Sequence, residues 1–95
     1  MENSINNFRK KIEEIFQNYK LQAEKNINLG NDKQNKPSEN DALLFYQMLD
    51  VFGKKINALA DEFEKEFTDL EIKRQITVIT KTYIFKYFDL FTFIE

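Results

Sequence analysis

With 95 residues the chain suffices for one domain and one modest core, hiding roughly 60–65% of the surface its unfolded form exposes. Its 14 basic and 16 acidic residues leave a formal charge of −2, which excludes an overall electrostatic pull towards nucleic-acid phosphates or anionic lipid. Histidine and cysteine are both absent, which excludes disulfides, thiol catalysis and imidazole or thiolate metal ligation.

The opening stretch, MENSINNFRKKIEEIF, has no apolar run behind its basic residues and carries glutamates, so it is expected to be neither a secretory signal nor a transit peptide. A cytoplasmic protein is the expectation. Lys, Asn, Ile and Phe account for 42 of the 95 residues, and all four are written with A/T-rich codons. That bias points to a low-GC bacterium, its phages or its mobile elements.

Ile5, Phe8, Ile12, Ile15 and Tyr19 recur at three- and four-residue intervals and line one side of a helix, with Phe16, Ala23 and Ile27 widening the stripe. Ser4 or Asn3 can cap its start, and Gly30-Asn31 supplies a left-handed end, which predicts a first helix over about 4–29. Residues 30–40, GNDKQNKPSEN, lack apolar side chains and hold the only proline, so they form a loop. They have neither the glycines of a phosphate cradle nor the alternating acids of a calcium loop.

Ser38 and Asp41 have the spacing of a capping box directly before a second apolar row: Ala42, Phe45, Leu49, Phe52, Ile56, Leu59, Phe63 and Phe67. This predicts a helix over about 40–67. Gly53 lies within it, leaving room for a kink or a close helix crossing, with two shorter helices as the alternative. Thr68 and Glu71 resemble a second capping box, with Thr68 as cap, which starts a third helix over about 69–93. Its row is Ile72, Ile76, Ile79, Tyr83, Tyr87, Leu90 and Ile94. The β-branched and aromatic run 76–85 favours a strand on propensity alone, yet no other segment offers a partner strand and no hairpin turn follows. The expected fold is therefore all-α, an antiparallel bundle of three long helices.

No spacing of residues announces a nucleophile, a cofactor or a metal, and none of these is expected: catalytic, cofactor-binding and metal-ligating residues are all absent from the reading. Two surfaces stand out instead. Residues 41–69 hold seven acids and three lysines, with Asp61, Glu62, Glu64, Glu66 and Asp69 most concentrated. On a continuous helix Glu62 and Glu66 stack, while Lys65 can bridge to Asp61 and Asp69. Either this is solvated surface, or Asp61, Glu62 and Glu66 steer a protein partner with a basic surface.

The second surface lies in the aromatic C-terminal segment. At 100° per residue Leu90, Tyr83, Ile94, Tyr87, Phe91, Ile84 and Phe88 span an arc that a bundle core can cover, whereas Val78, Phe85 and Phe93 point away from it. Those three are the candidate contact residues for a partner or for a homodimer mate. Arg9-Lys10-Lys11, Lys54-Lys55 and Lys73-Arg74 could form a basic stripe, but their neighbouring aromatics fall in phase with the core, which disfavours nucleic-acid binding. A membrane-surface helix is disfavoured because its polar side lacks the expected run of lysines. The reading that follows is a non-catalytic protein-binding module, for instance a phage or mobile-element inhibitor that blocks a host defence nuclease. The alternatives are an immunity-type or regulatory helical bundle, and a nucleic-acid-binding regulator.

Overall fold

The computed structural model describes residues 2–29 and 37–91, with side chains from residue 5 onwards. Three helices follow one another: α1 (Glu2–Asn26), α2 (Glu39–Glu64) and α3 (Leu70–Phe88). Each touches both of the others, making an all-α three-helix bundle drawn out to 50 × 18 × 17 Å. The level at which each pair meets follows from ring contacts. Phe8 of α1 meets Phe63 of α2, Tyr19 meets Phe52, and Phe45 of α2 meets Phe91 just beyond α3. The start of α2 therefore lies beside the ends of α1 and α3, the antiparallel order that short connections dictate.

The predicted stripes supply the core. Phe8, Ile12, Phe45, Phe52, Ile56, Ile76 and Tyr87 are fully buried, with Ile5, Phe16, Ala23, Ile27 and Ile79 nearly so. Ile15, Tyr19, Ala42, Leu49, Leu59, Phe63, Phe67, Ile72, Tyr83 and Leu90 are partly buried against them. Ile94 and the Gly30-Asn31 helix end lie outside the described residues.

All three helices stop short of their predicted ends, each for a local reason. After Asn26 the chain bends so that Ile27 and Leu29 fold onto the core, and the Asn28 amide donates to Asp41 Oδ1 at 3.3 Å. Asp41 already closes the predicted capping box, accepting from the Ser38 amide at 2.9 Å while Ser38 Oγ accepts from the Asp41 amide at 3.1 Å. These donated hydrogen bonds, from the Ser38 and Asn28 amides and then the Ser38 hydroxyl, hold the Asp41 carboxyl below its ordinary pKa. One carboxylate thus ties the end of α1 to the beginning of α2.

At the end of α2 the ladder tightens, with the Glu66 amide bonding to the Phe63 carbonyl and Phe67 to Glu64, so the helix closes at Glu64 rather than at residue 67. Beyond Phe88 the Leu90 and Phe91 amides do the same towards Tyr87 and Phe88, and α3 closes before residue 93. The start of α3 also differs from expectation. Asp69, not Thr68, is the cap, its Oδ1 accepting from the Glu71 amide at 2.9 Å. A carboxylate at a helix N-terminus gains from the helix dipole as well as from the hydrogen bond, which a threonine hydroxyl does not.

Gly53 neither breaks α2 nor receives a close helix crossing: α2 runs unbroken through it, and a Cβ built there would meet nothing within 4 Å. The β-branched run is helical throughout. Its threonines are accommodated because each hydroxyl returns a hydrogen bond to the carbonyl four residues back: Thr77 to Lys73 at 3.1 Å, Thr80 to Ile76 and Thr82 to Val78, both at 2.8 Å. Thr80 can therefore be buried without an unsatisfied donor.

Replacing Ile12, Phe52 or Ile79 with alanine is expected to destabilise the bundle by about 2–5 kcal/mol, because each leaves a cavity at the centre of its helix's inner face. Exposed Gln75 replaced in the same way should leave the denaturation midpoint almost unchanged. Equal midpoints for both groups would contradict this assignment of the core.

Candidate functional site

Tyr87 fixes which side of α3 faces out. Its ring stacks on Phe52 at 4.6 Å between centroids and on Phe45 at 5.4 Å, and Phe16 of α1 meets it edge-on at 6.4 Å. Phe85, two residues earlier, and Val78, nine earlier, stand roughly 180–200° round the helix from Tyr87. Both are exposed, Phe85 at 67% and Val78 at 56%. Phe93, the third member of the proposed stripe, lies outside the described residues. Phe88 departs from expectation: it belongs to the arc assigned to the core, yet it is 41% exposed. It stands at the edge of that arc, about 100° round from Tyr87 and in the last position of α3, three residues from Phe85.

The exposed apolar residues are unevenly distributed along the bundle. Leu21, Leu43, Leu44, Tyr46, Phe85 and Phe88 belong to the end where α1 and α3 finish and α2 begins, while Val51 and Val78 stand near the middle of α2 and α3. Leu43, Leu44 and Val51 are out of phase with the α2 core row, a sequence signal that a search restricted to the aromatic C-terminus passes over. Leu70 is the exposed apolar residue at the opposite end.

That opposite end carries the acidic residues. Asp61, Glu62 and Glu66 are all exposed, Asp61 and Glu62 in the last turn of α2 and Glu66 just past it. Because α2 ends at Glu64, Glu62 and Glu66 do not stack on a continuous helix. Lys65 forms no ion pair with Asp61 or Asp69: the ion pairs among the described residues are Lys54 with Asp50 at 3.1 Å and Arg74 with Glu71 at 3.7 Å. Glu64 accepts from Thr77 Oγ1 at 3.1 Å and is drawn onto α3. The last turn of α2 contains no basic residue and Lys65 is its cap, so its acids face the negative end of the helix dipole with one lysine beside them. No three carboxylates among the described residues converge in a way that could hold a metal ion.

The basic groups do not merge into one stripe. Lys11 lies over the Phe63 ring at 5.4 Å, Lys54 is held by Asp50 and Arg74 by Glu71. Arg9 and Lys10 face a furrow between α1 and α3 that the sequence did not disclose. One open depression of about 350 Å³ is lined by Arg9, Val78, Ile79, Thr82, Tyr83 and Lys86. A second, of about 450 Å³, shares Arg9 and Tyr83 with it and adds Lys10, Glu13 and Glu14. Between them the Tyr83 hydroxyl donates a short hydrogen bond to Glu13 Oε2, and Lys86 Nζ sits 4.7 Å from the Tyr83 ring centroid. Burial first, and then the Glu13 carboxylate, push the Tyr83 phenol up to about 12. Glu13 is held below its ordinary value by the Tyr83 and Gln17 hydrogen bonds and, more weakly, by Lys86 and Lys20.

Compared with known proteins, the chain matches no family model, no curated protein and no solved structure. Among the described residues no helix is long and apolar enough to cross a membrane.

The Glu13–Tyr83 bond has a definite pH signature. The lowered Glu13 pKa makes its contribution to stability complete above the unfolded value of 4.5, and it is lost as pH falls through the lower folded value. Tyr83 works in the other direction: its contribution is complete below pH 10 and is lost as pH rises through about 12. In Tyr83→Phe the Glu13 carboxyl should titrate at higher pH, as followed by carbon-13 NMR of the side chain. An unmoved Glu13 titration would mean that the two groups are not bonded in solution.

Proposed function

We propose that the protein is a non-catalytic protein-binding module that acts by occupying a surface of a larger protein. The observation that carries this reading is the exposure of Val78 and Phe85 on the side of α3 opposite its buried row, with Phe88 and the apolar end of the bundle adjoining them. Covering a phenylalanine side chain fully is worth about 1.5–3 kcal/mol relative to leaving it in water, and exposed large apolar residues gathered on one face mark interaction sites. Aromatic residues are also those most often found at the energetic centre of interfaces.

Asp61, Glu62 and Glu66 lend a secondary support. They crowd the unfavourable end of the α2 dipole without gaining an ion pair within the chain. A basic surface on the partner would compensate that charge and speed the encounter. The codon-biased composition suits an inhibitor from a phage or mobile element of a low-GC bacterium, with a cytoplasmic host protein such as a defence nuclease as its target.

The test is retention of partner proteins on immobilised protein in extracts of the cells that produce it. Phe85→Asp is expected to abolish retention while the helical circular dichroism and melting temperature stay as in the parent. Reversing the charge of Asp61, Glu62 and Glu66 together should slow association and flatten its salt dependence, with little change in dissociation. Full retention by Phe85→Asp would remove the proposed surface, and an unchanged association rate in the charge-reversed variant would return the acidic residues to plain solvated surface.

A further inference from the structure

The furrow between α1 and α3 has a chemistry of its own. Arg9 makes no hydrogen bond or ion pair to any described residue, although Glu13 lies one helical turn away on the same helix. Glu13 is engaged elsewhere, by the Tyr83 hydroxyl on one oxygen and the Gln17 amide at 2.9 Å on the other. Lys86 is held over the Tyr83 ring and has no carboxylate within ion-pair distance among the described residues. The depression lined by Arg9, Val78, Ile79, Thr82, Tyr83 and Lys86 thus carries two cations and no carboxylate, in a protein whose overall charge is negative, while Glu13, whose charge Lys86 feels at longer range, and Glu14 line the adjoining one. Along the same furrow Val78 offers exposed apolar surface and joins it to the outer stripe of α3, with the buried Ile79 beneath.

Resting on the reading of the chain as a protein-binding module, we propose that this furrow docks an acidic amphipathic helix of the partner, whose carboxylates pair with Arg9 and Lys86 and whose apolar side chains lie on Val78 and the half-buried Tyr83 ring. α1 and α3 run parallel, and the groove between two packed helices is a surface on which an amphipathic helix can bury its apolar face. The guanidinium of Arg9 can hold a carboxylate with two parallel hydrogen bonds, which gives register as well as attraction.

The test uses the whole chain labelled with nitrogen-15 and three probes: a short helical peptide with Leu and Glu at three- and four-residue spacing, the same peptide with Lys for Glu, and a single-stranded oligothymidylate. The Glu peptide is expected to shift the amides of Arg9, Val78, Thr82, Tyr83 and Lys86. The Lys peptide and the oligonucleotide should not. Combining Arg9→Glu with Lys86→Glu should weaken binding of the Glu peptide at least about tenfold, and the milder Arg9→Gln with Lys86→Gln should weaken it in the same sense, with the remaining spectrum unchanged in both. Shifts elsewhere, no shifts at millimolar Glu peptide, or shifts from the oligonucleotide in place of the peptide would overturn the proposal. Its failure is distinct from failure of the broader reading. If Phe85→Asp loses the native partner while the Arg9→Glu and Lys86→Glu variant keeps it, the module stands and the furrow assignment falls.

Discussion

The stack formed by Tyr87 with Phe45 and Phe52, flanked by Phe16 and extended by Phe91, joins all three helices at one level and sets the rotation of α3. An α-helix turns 100° per residue, so committing Tyr87 to the interior commits Phe85 and Val78 to the exterior. No repacking that keeps the ring stack can bring them in. The ring contacts come at a cost, because the Tyr87 hydroxyl is buried with no hydrogen-bond partner among the described residues, and burial pushes its pKa up to about 12. Leaving such a group unsatisfied costs about 1–3 kcal/mol, which the stacked rings and the full burial of the side chain must exceed.

Three helices in a rod 18 by 17 Å across give each helix only two neighbours, and the outer side of each must face something else. On α1, Leu21 apart, and on the second half of α2 that side is largely polar, as a solvated face should be. On α3 it carries Val78 and Phe85, and the first half of α2 exposes Leu43, Leu44, Tyr46 and Val51. Asp61, Glu62 and Glu66 lie at the far end, among the cations Arg9, Lys10, Lys11, Lys65, Lys73 and Arg74. The molecule is therefore asymmetric along its axis, with exposed apolar residues gathered mainly at one end and charges of both signs concentrated at the other, and with the Arg9 and Lys86 furrow along one side. Such separation of apolar and charged surfaces is suited to fixing the orientation of a bound protein.

The inner stripes were legible in the sequence because helical periodicity over more than twenty residues leaves little choice of face. The helix ends were less so: they depend on single side chains such as Asp41, which serves two segments, and Asp69, which displaces Thr68 as cap. Leu29 was hidden in a polar stretch, and its burial follows from the bend after Asn26. Phe88 was misplaced because an arc drawn on an isolated helix does not show how far a neighbour reaches. The furrow could not be read at all. Its central bond joins Glu13 to Tyr83 across 70 residues, and no local pattern encodes that meeting.

The central claim is that the outer face of α3 is covered by another protein in the cell. It is tested most directly by placing a photoreactive phenylalanine analogue at position 85, and in a separate variant at exposed position 55 on α2, in the cells that make the protein. Irradiation should give one discrete cross-linked species from position 85 and none from position 55. No adduct from position 85, or the same products from both positions, would contradict the account.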